Sequence, residues 1–381
     1  MENIQTAQLS LPPGMIEFGA GQPSPSLLPL KLLREAAANR LGNDDASYLA
    51  YGAEQGDGYF RKILAEYLSE QYRMPVDYNS LFITGGASQG LDLICTLFSR
   101  PGDTIFVEEP SYFLALRIFA DHGLNIVSLP MDDQGLVIEA LEQKLLKNAP
   151  AFLYTIPTFH NPSSVTLPAD KRERLVQLGR QQNFPIIADE VYHMLAYSST
   201  PPPPLASHTA NSPVISLGSF SKIMAPGLRL GWIQAGADIL RRFPACGLVD
   251  SGGGLNPFTS GIMRSAIELG LLDRQLINLK AVYQERKIAL SNELRSVLPD
   301  SVRFIEPGGG FFIWLKFADD IDTVKMLAAA RQYNVGFLPG INFSGERGLK
   351  NYLRLSFAYY DVPELEEGAR RLGAVIKGYK V

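Results

Sequence analysis

Apolar and polar residues follow two different periods along the middle of the chain. Short runs rich in Ile, Val, Leu and aromatic residues are typical of strands buried on both faces, and they lie at 104–110, 125–130, 151–157, 185–190, 213–222 and 231–235. Residues 133–147 and 168–184 instead place apolar side chains on one face of a helix. Strands that alternate with helices predict an α/β fold with a mostly parallel sheet flanked by helices on both faces.

A different pattern begins near residue 264. Residues 264–298 predict one long helix, and residues 302–317 predict two β runs that three consecutive glycines separate. Residues 351–360 predict a further strand, and the apolar spacing of 363–379 predicts a closing amphipathic helix. We expect this part of the chain to form a second, smaller α+β domain.

The composition narrows the possible classes of function. The chain has 381 residues, of which 46% are hydrophobic, and a net charge of −4, so it can bury a large core and has no basic stretch suited to nucleic acid. No apolar run is long enough to cross a membrane, and residues 1–14 lack the regions of a secretory signal. Because Cys95, Cys246 and the four histidines lie in unrelated segments, we expect a cytoplasmic protein with no disulfide framework and no metal site.

A glycine-rich turn within 82–98 is the first candidate for ligand binding. An apolar strand runs into Gly86, Ala87 and Ser88 and then into an amphipathic helix. Glycine lets a ligand approach the backbone, and the free N–H groups at a helix N-terminus favour phosphate. The turn has neither the Gly-Lys-Ser/Thr of a P-loop nor the GxGxxG of a dinucleotide site. A tight strand-to-helix turn without a ligand is the alternative.

A carboxylate follows the buried run at 185–190. Asp189 is expected at the carboxyl end of that strand, where open α/β sheets bind their ligands, and Tyr192 follows three residues later. The carboxylate can pair there with a cation, a metal or a protonated ring nitrogen. A helix N-cap is the alternative role for such an aspartate.

A lysine closes the next buried run, at 213–222. Lys222 follows Ser219 and Ser221, and Arg229 comes seven residues later in a glycine-rich context. A lysine at the end of a strand, close to hydroxyls and an arginine, can have a lowered pKa and act as an amine nucleophile. The alternative is a lysine on a surface loop.

Together these residue types match the needs of a pyridoxal phosphate site. The lysine amine would carry the cofactor, the carboxylate would keep its ring nitrogen protonated, and hydroxyls, backbone N–H groups and the arginine would hold its phosphate. Asn161 and Tyr192 could bind the phenolic oxygen of the ring, and Tyr112 is a candidate to stack on the ring. For Asn161, an ordinary Asn-Pro turn is the alternative.

Six motifs occur in the order found in one known family. The most specific is SFSKIMAPGLRLGW at 219–232, which HNP, ADEVY and LRLSF support. The chain therefore resembles the class I/II aminotransferases of fold type I, in the branch of the 2-aminoadipate aminotransferases and the aminotransferase-like domains of MocR regulators. The resemblance implies the pyridoxal-phosphate-dependent transferase fold. It also implies a large cofactor-binding domain at 45–264 and a small domain made of 1–44 together with 265–381.

The resemblance implies a role for each candidate in the cofactor site. Lys222 would be the Schiff-base lysine and proton shuttle, and Asp189 would pair with the ring nitrogen. Asn161 and Tyr192 would bind the phenolic oxygen, and Tyr112 would stack on the ring. The phosphate would be held by main-chain and side-chain groups of Gly86, Ala87, Ser88, Ser219, Ser221 and Arg229.

Substrate and subunit contacts follow from the same resemblance. Arg354 would clamp the α-carboxylate of an L-amino acid, with Gly21 and Asn161 beside it. A solvent-facing arginine on a strand is the alternative. Tyr51 matches a family tyrosine that reaches the cofactor phosphate of the neighbouring subunit, which implies a homodimer with shared active sites. The expected partners are an amino acid and a 2-oxo acid, with no nucleic acid and no membrane.

Three features depart from the family pattern. Ser163 and Ser164 stand where relatives usually have Thr-Gly, and His160 stands where relatives often have Gln. The histidine could change the wall of the pocket or simply pack in a loop. Few residues precede Ile16, so a substrate-recognising N-terminal helix is expected to be missing, and the glycine-rich segment 249–260 could act as a lid in its place.

The shared cofactor-binding residues leave two other functions open. A pyridoxal-phosphate-dependent carbon–sulfur β-lyase would use the same residues but release pyruvate and ammonia from a cysteine conjugate without an oxo acid. An amino-acid-sensing regulator would need a DNA-binding domain ahead of the aminotransferase-like part. We expect no room for that domain in this chain, whose charge is not basic.

Overall fold

The computed structural model describes residues 9, 11–198 and 200–379. Residues 1–8, 10, 380 and 381 belong to the predicted small domain but lie outside this description, as does most of the segment considered as a secretory signal. None of the helices in the described residues combines the length and the apolar composition that crossing a membrane requires.

Thirteen strands occur in the described part of the chain. They are β1 (Ile16–Glu17), β2 (Leu81–Thr84), β3 (Thr104–Glu109), β4 (Asn125–Asp132), β5 (Gly135–Leu136), β6 (Leu153–Thr155), β7 (Ile186–Asp189), β8 (Val214–Ser219), β9 (Gly231–Ala235), β10 (Phe312–Lys316), β11 (Val335–Gly336), β12 (Leu338–Pro339) and β13 (Tyr352–Ser356).

Twelve α-helices accompany these strands in the same described residues. They are α1 (Leu30–Leu41), α2 (Gly58–Tyr72), α3 (Ala87–Phe98), α4 (Phe113–Asp121), α5 (Ile138–Leu145), α6 (Ala169–Gln182), α7 (Ala237–Leu240), α8 (Gly247–Gly252), α9 (Pro257–Glu268), α10 (Leu271–Val297), α11 (Thr323–Gln332) and α12 (Val362–Gly378).

The largest sheet has eight strands in the order β2-β9-β8-β7-β6-β3-β4-β5. Its five central strands, from β8 to β4, pair in parallel, whereas β2, β9 and β5 are attached by antiparallel pairing. Every residue of β2, β6, β7, β8 and β9 is buried, which explains their continuous apolar sequences. The predicted α/β fold with a mostly parallel, helix-flanked sheet is confirmed.

Two smaller sheets complete the fold. β10, β13 and β12 form an antiparallel sheet, and β1 pairs in parallel with β11, with Ile16 opposite Val335. The prediction of two β runs in 302–317 is wrong for the first run, which is reduced to a single bridge between Arg303 and Lys316. Because β1 pairs with β11, this N-terminal strand lies among elements from the C-terminal part, as a discontinuous small domain would require. The division into 45–264 and 1–44 with 265–381 stays a prediction.

Two predicted helices have different bounds in the structure. The prediction of a single helix over 264–298 is wrong, because α9 ends and α10 begins on either side of Gly270, whose φ of 65° suits glycine and interrupts a helix. The helix predicted over 133–147 begins only at Ile138, because Gly135 turns the chain back and pairs with β4 as a short hairpin.

Candidate active site

The candidate residues gather where the carboxyl ends of parallel strands meet. Asp189 is the last residue of β7 and Ser219 is the last residue of β8, and these strands are neighbours in the sheet. Asn161 lies in the segment after β6, and Lys222 lies in the turn after β8. This edge of the sheet is where open α/β folds bind ligands.

Lys222 has an amine in an unusual environment for a lysine. Its Nζ donates a hydrogen bond to the backbone oxygen of Gly21 at 3.3 Å, and it lies 5.6 Å from the ring centre of Phe311 and 6.0 Å from that of Tyr192. Burial, followed by the positive charge of Arg354, lowers the pKa of Lys222 to about 8. The amine can therefore gain or lose a proton near physiological pH, unlike a lysine on a surface loop.

Asp189 has one paired and one unpaired oxygen. Its side chain is buried, and its Oδ2 accepts a hydrogen bond from the Tyr154 hydroxyl at 2.8 Å. Its Oδ1 is buried without a hydrogen-bond partner in the described residues. Burial raises the pKa of Asp189, while the Tyr154 hydroxyl is the largest of several groups that oppose the rise. A turn follows Asp189, so the alternative role as an α-helix N-cap is excluded.

The glycine-rich turn and Arg229 form a polar cradle. Helix α3 begins at Ala87, directly after Gly86, which has a φ of 95°, and Ser88 is exposed in its first turn. A Cβ on Gly86 would lie only 3.1 Å from Arg229 Nη2, and that nitrogen donates to the oxygen of Gly85 at 3.3 Å. Helix N–H groups and a guanidinium are groups that favour an anion, so this cradle is suited to binding one.

Two serines precede Lys222: Ser219 ends β8, and Ser221 lies in the turn that follows. The N–H of Ser221 donates to the side-chain oxygen of Ser219 at 3.1 Å. Ser219 is buried, whereas Ser221 is only partly covered. Both hydroxyls precede Lys222, so they lie on the segment that presents the amine.

Arg354 is a buried arginine of β13. Its side chain is 2% exposed, so the alternative of a solvent-facing arginine is wrong. Nη1 donates to Asn161 Oδ1 at 2.8 Å and Nη2 donates to the oxygen of Gly19 at 2.9 Å, whereas the buried Nε has no partner in the described residues. A Cβ on Gly21 would lie 3.3 Å from Nη2, so the glycine permits this close approach.

Arg354 stays charged although it is buried. Burial lowers the pKa of Arg354 to about 10, which leaves it protonated at neutral pH. Its guanidinium carbon lies 4.0 Å from the ring centre of Phe312. A buried cation with an unpaired N–H group is suited to binding a carboxylate.

Two tyrosines border the same space. Tyr192 is buried and makes edge-on contacts with Phe311 and Phe312, at ring-centre distances of 5.4 and 5.8 Å. Burial raises the pKa of Tyr112 to about 12, with further effects from the charges of Asp189 and Arg354. Both phenols therefore remain protonated donors at neutral pH.

Tyr51 is separate from the other candidates in this single chain. Its side chain is 89% exposed, and no hydrogen bond or ring contact joins it to them within the described residues. The backbone beside it is fixed, because Gly254 donates to the oxygen of Gly52 at 2.8 Å. Asn256, in the segment considered as a lid, donates from Nδ2 to the oxygen of Arg229.

The residues that depart from the family pattern are buried. His160 is 1% exposed, with Nδ1 2.9 Å from the hydroxyl of Ser163 and Nε2 3.2 Å from a carboxylate oxygen of Glu108. The Ser164 hydroxyl donates to the backbone oxygen of Phe312 at 2.5 Å. His160 therefore packs among buried polar side chains in the segment after β6, and a role for it in the wall of the pocket stays a prediction.

The sequence interpretation missed two contributors to the site. Tyr154 hydrogen-bonds to Asp189, and Phe312 covers the guanidinium of Arg354. A signal for Tyr154 was present, because a tyrosine in an otherwise apolar, buried strand needs a partner for its hydroxyl. The position of Phe312 gave no such signal, since an aromatic residue in a strand usually belongs to the core.

Known proteins resemble this chain over most of its length. The family model of aminotransferase class I and II matches residues 13–372. The chain is 36% identical to aromatic-amino-acid aminotransferase 1 of Thermococcus litoralis, over 95% of this chain and 88% of that protein.

Solved structures are similar in fold as well as in sequence. The multiple substrate aminotransferase of Thermococcus profundus has a TM-score of 0.91 and 32% identity, covering 96% of this chain and 92% of that one. The α-aminoadipate aminotransferase LysN of Thermus thermophilus, in a complex with N-(5'-phosphopyridoxyl)-L-leucine, has a TM-score of 0.87 and 31% identity, covering 97% of this chain and 95% of that one.

Proposed function

The chain belongs to the class I and II aminotransferases, and from this premise we propose how its own residues hold the cofactor and the substrate. It is a pyridoxal-phosphate-dependent enzyme that moves an amino group between an amino acid and a 2-oxo acid. When bound, pyridoxal phosphate supplies a carbonyl that takes up the amino group and a ring that draws electrons from the substrate's Cα.

The residues of the site fit this cofactor. A buried carboxylate oxygen without a partner is costly, and Asp189 Oδ1 would be paired by a protonated ring nitrogen. The cradle at Gly86 and Arg229 offers the N–H groups of a helix N-terminus and a guanidinium charge to a phosphate. The observation that carries the proposal is the unpaired oxygen of Asp189, on the same sheet edge as the Lys222 amine.

Lys222 carries the proton in this proposal. With a pKa of about 8, its Nζ can accept the proton from Cα of the bound amino acid. It would pass that proton to the C4′ carbon of the cofactor, and the second half-reaction would move a proton in the opposite direction. The charge of Arg354 favours the neutral amine, and Asp189 opposes it, so both neighbours tune the same group.

The remaining cofactor contacts are assigned by residue type and position. Asn161 and Tyr192 would donate to the phenolic oxygen, and Tyr112 would pack against the face of the ring. The phosphate would be held by N–H groups, hydroxyls and a guanidinium of Gly86, Ala87, Ser88, Ser219, Ser221 and Arg229.

Arg354 would bind the α-carboxylate of the substrate. Its unpaired Nε and one edge of the guanidinium are available, while Asn161 and the backbone of Gly19 hold the other edge in place. Gly21 lies against the same guanidinium and accepts a hydrogen bond from Lys222, so it would border the substrate as well.

A homodimer in the cytoplasm completes the proposal. Large apolar side chains are exposed around the segment of Tyr51 and would be covered by a second subunit: Leu49, Tyr51, Leu248 and Phe258. Tyr51 would then reach the phosphate bound by the other subunit. The pairing of β1 with β11 supports the division into a large domain at 45–264 and a small domain at 1–44 with 265–381.

The decisive experiment replaces the lysine. Lys222→Ala should abolish transamination from a panel of L-amino acids to a 2-oxo acid, because Lys222 is the group assigned to move the proton at Cα. Lys280→Ala is the matched control, since Lys280 is a half-buried lysine with a lowered pKa that lies outside the site. Full activity in the Lys222→Ala variant, or pyruvate release from a cysteine conjugate without an oxo acid as the main reaction of the wild type, would contradict the proposal.

A further inference from the structure

Tyr154 is a fully buried residue of β6 that faces Asp189. In the parallel pairing of β6 with β7, Tyr154 lies opposite Ile187. Asp189 is two residues beyond Ile187 and therefore lies on the same face of the sheet as Tyr154. The Tyr154 hydroxyl donates to Asp189 Oδ2 at 2.8 Å.

Packing fixes this tyrosine ring in place. Tyr154 is 0% exposed, and its ring centre lies 5.4 Å from that of Phe119, at an interplanar angle of 72°. The next residue, Thr155, donates to a carboxylate oxygen of Glu108 at 2.7 Å, and the N–H of Ile156 donates to the other at 2.9 Å. The strand that carries Tyr154 is thus tied to β3, and the hydroxyl has a defined direction.

The hydroxyl acts on the carboxylate as a neutral donor. Burial raises the pKa of Tyr154 well above its usual value, so it keeps its proton. A hydrogen bond from a neutral donor favours the charged form of a carboxylate. It also occupies Oδ2 and leaves Oδ1, the oxygen without a partner in the described residues, as the free one.

We propose that Tyr154 is a positioning residue that holds Asp189 by one oxygen and keeps it ionised, so that the other oxygen can pair with the protonated ring nitrogen of pyridoxal phosphate. The inference rests on the proposed cofactor contacts of Asp189 and adds a residue that itself touches neither cofactor nor substrate. Loss of the Tyr154 hydroxyl should weaken the binding of a ligand that has the ring nitrogen, but not of one that lacks it. Loss of a purely structural contact would weaken both alike.

The test compares two ligands with Tyr154→Phe. The cofactor is removed from the purified enzyme, and rebinding is titrated with pyridoxal phosphate and with its 1-deaza analogue, in which CH replaces the ring nitrogen. Loss of one hydrogen bond to a charged group predicts about tenfold or more weaker binding of pyridoxal phosphate. Binding of the deaza analogue should change by less than about twofold, because it cannot pair with Asp189.

Tyr283→Phe is the matched control. Tyr283 is also 0% exposed, and its hydroxyl has no hydrogen-bond partner in the described residues. This variant should bind both ligands like the wild type. Equal weakening of both ligands by Tyr154→Phe, or no weakening of either, would overturn the inference. Failure of the wild type to bind pyridoxal phosphate would instead refute the proposed function.

A second pair of variants applies if Tyr154→Phe does not fold, as judged by thermal unfolding. Tyr154→His retains a ring N–H donor, whereas Tyr154→Met has none. The ratio of the two dissociation constants, deaza analogue over pyridoxal phosphate, should stay near the wild-type value for His and fall about tenfold for Met. The same ratio in both variants would overturn the inference.

Discussion

Substitution of Arg354 by lysine tests the assignment of the substrate carboxylate. The guanidinium binds Asn161 and the Gly19 backbone on one side and has an unpaired Nε on the other. Arg354→Lys keeps a positive charge but loses the planar fork that can make two parallel hydrogen bonds to a carboxylate. The change therefore removes one charge-assisted hydrogen bond while leaving the attraction between charges.

The expected loss follows from that count. One hydrogen bond to a charged group is worth about 1.5–3 kcal/mol, which corresponds to a reduction of roughly 10- to 150-fold in kcat/KM for the amino acid. Arg354→Ala removes both bonds and the charge, and about 3–6 kcal/mol, or at least 100-fold, is expected. The larger loss should appear mainly at low substrate concentration, because the carboxylate is bound before as well as during the reaction.

The assay follows the half-reaction of the bound cofactor by its absorbance, with an amino acid and with the amine that lacks its carboxylate. The wild type should react much faster with the amino acid, and Arg354→Lys should reduce that advantage while changing the rate with the amine little. Equal losses with both substrates would refute the reasoning, since they would mean that Arg354 acts only by holding Asn161.

Three further changes test other parts of the structure. Gly86→Ala places a side chain at a φ of 95° and a Cβ 3.1 Å from Arg229 Nη2. We expect the cofactor-free variant to bind pyridoxal phosphate about tenfold more weakly and to bind unphosphorylated pyridoxal like the wild type, as measured by titration. The pKa of Lys222 is about 8 in the folded protein, which is below its value in the unfolded chain. Between about pH 8 and 10.5 the unfolded chain therefore binds more protons than the folded protein, and the free energy of unfolding rises with pH. Lys222→Met should remove this dependence on pH. At pH 7 it should be more stable than the cofactor-free wild type by on the order of 1–3 kcal/mol in urea unfolding. An unchanged pH dependence would contradict the lowered pKa of Lys222. Glu109 accepts hydrogen bonds from two serine hydroxyls and from the N–H of Gly345. Glu109→Gln should therefore lower the free energy of unfolding by about 1–2 kcal/mol. A free energy equal to that of the wild type would show that these hydrogen bonds do not stabilise the segment around Gly345.

The main sheet could be predicted from the sequence because its strands are buried on both faces. Strands such as β7 and β8 contain only buried residues, and their sequences are therefore continuous apolar runs bounded by polar positions. The break at Gly270 was missed because a single glycine inside a periodic apolar pattern is often tolerated in a helix. The pattern gives the position of Gly270 but not its φ of 65°, which ends the regular helix there.

The candidate site was predictable where it depends on strand ends and less so where it depends on contacts between distant segments. Asp189 and Lys222 follow apolar runs, so their place at the edge of the sheet follows from topology alone. The hydrogen bond from Tyr154 to Asp189 depends on the register between β6 and β7, and the bond from Arg354 to Asn161 joins residues 193 positions apart. Neither register nor long-range pairing is determined by local sequence.

The pairing of β1 with β11 also affects how the protein is made. Val335 lies 319 positions after its partner Ile16, so a ribosome that adds about 5–20 residues per second needs roughly 16–64 s between the two. During that interval β1 and the neighbouring Phe18, which is 1% exposed in the finished fold, have no partner strand. The segment that contains β1 must therefore be shielded from aggregation until β11 has been synthesised, and slower translation would lengthen its exposure.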